Sequence, residues 1–237
     1  MIRNRRAFIV GIKSTTLSKK EKTFLKKYKP WGVILFSRNI KKFKQIKKLT
    51  SDLRLIFKDK KYPILIDQEG GRVNRLNNLI EASIFTAEYF GNLYKKNRSK
   101  FFNYYKVYIS QVSYLLNEIG ININTVPVLD VRKSKSSNII GDRSYSSIPK
   151  NVSKIGDLCI EQFNKGRVAT VIKHIPGHGL ARVDSHKKTP VVKYKDKYLF
   201  KNDFSSFKRK NSFFAMTAHV IYKDIDVLNI VILRLRF

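Results

Sequence analysis

The chain has 237 residues, of which 43% are hydrophobic, and its 16 Phe and 12 Tyr argue for one large folded domain and against disorder. Its net charge of +32 comes mostly from lysines that are spread from Lys13 to Lys223 among Asn, Ile, Phe and Tyr. This pattern indicates a compositional bias of the sequence and disfavours nucleic acid as the main partner. Its one cysteine, Cys159, excludes an internal disulfide, and no apolar run has transmembrane length, so the sequence predicts a cytoplasmic, monomeric protein with no membrane partner.

Apolar runs alternate with amphipathic segments along the chain. The apolar runs predict six strands, at 7–12, 32–37, 62–68, 123–131, 168–177 and 212–222. The amphipathic segments predict helices at 18–28, 41–57, 101–119 and 151–165, with a short one near 196–210. Ser18 and Glu21 have the spacing of a capping box, Asn151 is a candidate N-cap, and segment 69–99 is less regular.

The six strands are nearly continuous apolar runs, which is typical of a parallel sheet that is buried on both faces. Polar residues stand at several strand ends, where barrel enzymes place their working groups. The first strand is followed by no Gly-rich phosphate loop, which disfavours a nucleotide-binding doubly wound sheet. The sequence therefore predicts an α/β fold, a (β/α)8 barrel of the TIM type that is incomplete, with about six of its eight strands.

Three of the four histidines, His174, His178 and His186, fall within 13 residues of one another. A zinc site is one interpretation, because His174 and His178 have helical spacing. However, Pro176 and Gly177 lie between them and oppose a helix, and Ile175 stands where a zinc-protease motif has glutamate. We therefore predict no metal and no cofactor.

The second interpretation makes His186 a proton-transfer group, since an imidazole both gives and takes protons near neutral pH. Asp184, two residues earlier, could fix the tautomer of His186 and stabilise its charged form. Taken alone, such a short motif is more often an ordinary pair of polar loop residues.

Other polar constellations follow strands. "LIDQEGGRVNRL" offers Asp67 for hydroxyl groups of a ligand, with Arg72 and Arg75 as donors or as parts of a salt-bridged turn. "IIGDRSYS" offers Arg143 as a further ligand contact. In "AMTAHVIY", His219 is predicted to be a hydrogen-bonded structural residue rather than a catalyst.

Taken together and in this order, seven segments over residues 7–226 resemble family-3 glycoside hydrolases. The most specific match, to the bacterial β-N-acetylhexosaminidases of cell-wall recycling, is "KHIPGHG" followed by "DSH". The segments are "GVILFSRN", "LIDQEGGRVNRL", "TVPVLDV", "IIGDRSYS", "KHIPGHG", "DSHKKTP" and "AHVIYKDID". The resemblance implies a barrel domain over residues 1–226 that removes terminal β-linked N-acetylglucosamine from peptidoglycan fragments by a retaining mechanism.

The resemblance also implies roles for individual residues. His186 would protonate the leaving oxygen and then activate water, and Asp184 would polarise His186. His178 would brace the loop, a role inferred from its position. The residues that match the sugar-holding positions of the family are Asp67, Arg75, Arg143, Lys173 and His174.

The sequence departs from the family in its last residues. The family's nucleophile is an aspartate in a segment that reads like F-S-D-D-L, and no such segment occurs here, so the nucleophile stays unassigned. Residues 227–237, "VLNIVILRLRF", match nothing in the family. We therefore expect a truncated enzyme domain that is inactive alone. A non-catalytic sugar-binding remnant and a basic nucleic-acid-binding protein are the alternatives.

Overall fold

A computed structural model of the chain describes residues 4–133, 138–181 and 189–226. Eight strands lie in these ranges. They are β1 Arg6–Gly11, β2 Pro30–Leu35, β3 Ile64–Ile66, β4 Ile123–Asn124, β5 Ala169–Ile175, β6 Val191–Val192, β7 Phe214–Thr217 and β8 Ile221–Tyr222.

Six α-helices lie in the same ranges. They are α1 Lys19–Tyr28, α2 Phe43–Phe57, α3 Ala87–Lys96, α4 Arg98–Glu118, α5 Pro149–Lys165 and α6 Asp196–Asn202. Short 3-10 turns at Ser37–Asn39, Gly141–Arg143 and Ser205–Phe207 complete the regular structure. Among the described residues, no helix combines the length and apolar character that a membrane crossing requires.

The main sheet has the strand order β1-β2-β3-β4-β5-β7, and every neighbouring pair is parallel. β6 and β8 form a separate two-stranded parallel sheet. Strands that pair in chain order and are connected through helices are typical of a curved (β/α) barrel wall. The predicted α/β fold and the incomplete barrel with six main strands are thus confirmed.

Successive side chains of the main strands are buried on opposite faces of the sheet. On the face toward the helices, Val33, Leu35 and Ile64 belong to the large core. Leu65, Ile123 and Val171 form a second cluster, which Ile34 of β2 also contacts. Because both faces are apolar, the strands read as continuous hydrophobic runs rather than alternating ones.

Several predicted boundaries are wrong. The run 212–222 is divided between β7 and β8, which belong to different sheets. The run 123–131 pairs regularly only over β4, since Pro127 has no N–H to donate to a ladder. α5 begins at Pro149, a residue suited to the first helical turn, so Asn151 is not its N-cap. The helix α3 was not predicted within segment 69–99.

The capping box of α1 is confirmed. The Ser18 hydroxyl accepts the backbone N–H of Glu21 at 3.2 Å, and the Glu21 carboxylate accepts the Ser18 N–H at 2.9 Å. We expect Ser18→Ala to lower the free energy of unfolding by about 1 kcal/mol, measured by urea titration, because a helix-end N–H loses its acceptor. Thr23→Ala in the same helix is the control, and equal losses in both variants would contradict the cap assignment.

Candidate functional site

Polar side chains converge at the C-terminal edge of the main sheet. Asp67 follows β3 directly, and Lys173 and His174 occupy the end of β5. Asp130 comes after β4, in a segment that is bridged to Lys173 through Val128. Since the carboxyl ends of parallel strands meet at one edge, these groups lie where barrel enzymes bind their ligands.

The ammonium group of Lys173 lies at the centre of this edge. Its Nζ lies 3.1 Å from Asp67 Oδ1, 2.6 Å from Glu69 Oε1 and 3.0 Å from Thr125 Oγ1. The side chain is only 2% exposed. One buried cation therefore holds two carboxylates side by side and fixes both of them in place.

Glu69 also binds Arg143 in a bidentate pair. Both Nε–Oε2 and Nη2–Oε1 distances are 2.8 Å, and both side chains are largely buried. Burial alone would raise the pKa of Glu69, but Lys173 and Arg143 outweigh it and lower the pKa to about 2. Glu69 is therefore charged at neutral pH and orients both cations.

Asp67 is the carboxylate that stays partly open, with 16% of its side chain exposed. The Thr125 hydroxyl donates to its Oδ1, and Arg75 Nη2 lies 3.8 Å from its Oδ2. Burial favours the neutral form of Asp67, but Lys173 and Thr125 outweigh burial and lower its pKa. The Gln68 side chain accepts the backbone N–H of Arg75 at 3.0 Å and so fixes the turn that carries Arg75.

Asp130 is fully buried and fixes the orientation of His174. Its Oδ2 lies 2.6 Å from His174 Nδ1, and its Oδ1 accepts the backbone N–H of His178 at 2.6 Å. Burial opposes the charge of Asp130, but the two histidines outweigh it and lower the pKa. With Nδ1 held by Asp130, Nε2 of His174 is the ring nitrogen left to meet a ligand.

The structure brings Asp67, Arg75, Arg143, Lys173 and His174 together at one edge, as the sequence predicted. Their roles in sugar binding stay predictions. Asp184 and His186 lie outside the described residues.

The structure also bears on the predictions for Arg72 and His219. Arg72 follows the salt-bridged alternative, because it pairs with Asp142 at 2.8 Å and donates to three carbonyl groups at 138–140. Arg72 therefore braces the turn that carries Arg143 instead of meeting a ligand. The hydrogen bond predicted for His219 is not found, since this exposed side chain forms none to any other described residue; its structural rather than catalytic role stays a prediction.

His178 is buried beside the site, and its ring lies 5.7 Å from that of His174, centroid to centroid. Burial is the largest influence on the His178 ring and lowers its pKa. Across 4–133, 138–181 and 189–226, no group of three or more His, Cys, Asp or Glu side chains could hold a metal ion.

Sequence reasoning missed two site residues, Glu69 and Thr125. Glu69 stands in the same motif as Asp67, directly before Gly70 and Gly71, and only its buried partners distinguish it from a surface acid. Thr125 was a polar residue inside an apolar run at a predicted strand, a signal that could have identified it.

Comparison with known proteins identifies similar chains. Residues 6–229 match the glycosyl hydrolase family 3 N-terminal domain. The chain is 34% identical over 221 residues to beta-hexosaminidase A of Pseudoalteromonas piscicida, covering 90% of this chain and 36% of that protein. It is 31% identical over 227 residues to a beta-hexosaminidase of Hydrogenovibrio crunogenus, covering 93% of this chain and 62% of that one.

Solved structures have the same fold. NagZ from Neisseria gonorrhoeae in complex with N-trifluoroacetyl-D-glucosamine superposes with a TM-score of 0.83 at 27% identity, covering 94% of this chain and 66% of that one. The β-N-acetylglucosaminidase from Thermotoga maritima superposes with a TM-score of 0.76 at 28% identity, covering 94% and 45%. The chain thus spans less than two thirds of the length of the two beta-hexosaminidases that it matches.

Proposed function

The chain belongs to glycosyl hydrolase family 3, and from this membership we propose that its strand-end site binds a terminal β-linked N-acetylglucosamine of peptidoglycan fragments. The reaction that this site would serve is that of a retaining β-N-acetylhexosaminidase. Relatives are beta-hexosaminidases, and the NagZ structure holds an N-acylated glucosamine. The matched sugar-holding residues support the same assignment.

The observation that carries the proposal is the buried ion cluster of Asp67, Glu69, Arg143 and Lys173. A sugar ring presents hydroxyl groups that both donate and accept hydrogen bonds. Asp67 can accept from two hydroxyl groups, and His174 Nε2 can meet an oxygen atom of the ligand. The buried Lys173, whose N–H groups are engaged by Asp67, Glu69 and Thr125, holds Asp67 in place. Because the charges already neutralise and orient one another, a ligand meets donors and acceptors that are already in place.

The proposed acid/base is His186, with Asp184 as its partner. His186 would protonate the leaving oxygen and then remove a proton from the attacking water. At the strand ends of the described residues, Asp67, Glu69 and Asp130 are each engaged by a cation or a histidine. The nucleophile is not assigned to any residue of this chain, so we expect the 237-residue polypeptide to bind the sugar without hydrolysing it.

The proposed setting is the recycling of cell-wall fragments in the cytoplasm, by a monomer. Cys159 is free and buried, which fits a reducing compartment. A net charge of +32 suits fragments that carry anionic groups.

Titration with N-acetylglucosamine, followed by NMR, tests the proposal. We expect the protein to bind the sugar and Asp67→Asn to weaken binding about tenfold or more, because charge-assisted hydrogen bonds to hydroxyl groups are lost. Asp157→Asn is the control, since Asp157 is a half-exposed carboxylate on α5 that pairs with Lys210. No binding by the unchanged protein, or equal binding by both variants, would count against the site.

A further inference from the structure

A buried carboxyl group that has no part in the proposed sugar contacts packs against the end of "KHIPGHGL". Asp203 follows α6 and is completely buried. A Cβ atom at Gly177 would lie 2.7 Å from its Oδ2, and one at Gly179 would lie 2.9 Å from its Oδ1. The carboxyl group therefore fills the space that these two glycines leave.

The turn from Gly177 to Leu180 is held from three sides. Asp130 accepts the backbone N–H of His178, and the Tyr222 hydroxyl donates to the Gly177 carbonyl. The Asp203 oxygens face the N–H groups of Gly179 and Leu180 without a well-aligned hydrogen bond to any described residue. Three different elements thus converge on four residues of backbone.

The turn is coupled to the sugar site through one shared group. Asp130 holds the ring of His174 with one oxygen and the backbone of His178 with the other. A displacement of the turn therefore moves the group that orients His174. Gly179 cannot relax outward, since a Cβ there would lie 2.0 Å from the Val131 carbonyl oxygen, which shows how closely the turn is packed.

We propose that Asp203 is a positioning residue of the sugar site, which sets the Gly177–Leu180 turn and, through Asp130, the ring of His174. The inference rests on the proposed sugar binding. Asp203 is buried beneath the turn, so it acts on the ligand only through these neighbours. Its side chain orders the backbone that leads, in sequence, from the sugar-binding His174 toward residues 182–188.

Protonation of Asp203 gives this arrangement a measurable signature. Burial is the main cause that raises its pKa, to about 8; Asp130 adds to this and Lys133 opposes it. Tyr222 and, within the turn itself, His178 are further titratable neighbours. Asp203 is therefore neutral at pH 7 and gains a charge beside Asp130 in mild alkali. Because the folded pKa lies above the ordinary 3.8, its contribution to stability falls as pH rises from about 4 to about 8.

The test compares Asp203→Asn and Asp203→Leu with the unchanged protein from about pH 6 to about pH 9, across the expected titration. NMR follows the amide signals of Gly179 and Leu180, the ring signals of His174 and the affinity for N-acetylglucosamine. We expect the unchanged protein to lose affinity above about pH 8, and Asp203→Asn, which keeps the neutral shape, to lack this alkaline loss. Asp203→Leu replaces the polar group that faces the N–H groups of Gly179 and Leu180 with an apolar one, so we expect shifted signals and about tenfold weaker binding.

Asp157→Asn serves as the matched acid-to-amide control and should keep the alkaline loss. Identical pH profiles in Asp203→Asn and the unchanged protein would overturn the inference, as would unmoved His174 and turn signals in Asp203→Leu. If Asp203→Leu does not fold, the pH dependence of sugar affinity in Asp203→Asn alone tests the inference. Failure of the unchanged protein to bind sugar would refute the proposed function instead, and the turn and His174 signals would still report whether Asp203 positions them.

Discussion

Replacing Lys173 with methionine will lower the free energy of unfolding by about 3–5 kcal/mol, because it leaves carboxylates in the protein interior without their shared cation. Lys173 is 2% exposed, and its ammonium group contacts both Asp67 and Glu69. Arg143 still neutralises Glu69 in the variant, so Asp67 bears most of the loss. Denaturant titration near pH 7 measures the change.

The pH dependence of the Lys173→Met effect has a definite sign. The pKa values of Asp67 and Glu69 in the folded protein are lower than their ordinary values, and that of Glu69 is about 2. The paired carboxylates therefore stabilise the fold fully at pH values above their ordinary pKa values. That contribution disappears as pH falls through the folded values. The unchanged protein should therefore lose stability toward pH 2 more steeply than Lys173→Met, and the two should converge in acid.

Lys210→Met is the burial-matched control. Its side chain is also 2% exposed, but its carboxylate partner Asp157 is 54% exposed. Water can solvate Asp157 once the lysine is lost, so we expect a clearly smaller effect. Equal losses in the two variants would show that burial of the lysine stem, rather than the orphaned carboxylates, sets the cost.

The strands of the main sheet could be predicted from the sequence because the pattern that marks them lies within each strand. A strand that is buried on both faces must be apolar at every position, and Ile64, Leu65 and Ile66 show this directly. The residues at which a strand begins and ends depend on partner strands far away in the sequence, so the strand boundaries were predicted less well. The run 212–222 has one uniform pattern, yet it contributes β7 to the main sheet and β8 to the strand pair with β6.

The site was predictable where a motif places a polar residue at a strand end, as with Asp67, Lys173 and His174. It was not predictable where a role depends on a contact across the chain. Arg143 and Glu69 are 74 residues apart, and nothing local in either segment indicates their bidentate pair. Arg72 illustrates the converse, since a ligand donor and a turn brace look the same in sequence.

The ion cluster also explains how a very basic chain keeps a balanced site. Asp67, Glu69, Lys173 and Arg143 contribute two charges of each sign, so the cluster is neutral, whereas the whole chain carries +32. A neutral cluster would suit the uncharged sugar ring of the proposed ligand, because it offers hydrogen-bond donors and acceptors without attracting ligands of one charge.

In a chimaera that joins residues 1–226 to the C-terminal part of the Hydrogenovibrio crunogenus beta-hexosaminidase, His186→Ala will lower the turnover of peptidoglycan fragments by about 10²–10⁴-fold. A sugar alkoxide is a poor leaving group and needs a proton, which the proposed His186 supplies. A nitrophenolate leaves without one, so turnover of a nitrophenyl N-acetylglucosaminide should fall less in the first step. Steady-state kinetics with the two substrates measures the difference.

The same chimaera separates the two members of the pair. Asp184→Ala should act in the same direction as His186→Ala but more weakly, because the imidazole remains and loses only its partner. Asp157→Asn is the control, since this half-exposed carboxylate lies on α5, pairs with Lys210 and should leave turnover unchanged. If His186→Ala hydrolysed natural fragments as fast as the unchanged chimaera, the acid/base would be another group, and "DSH" would revert to an ordinary polar loop.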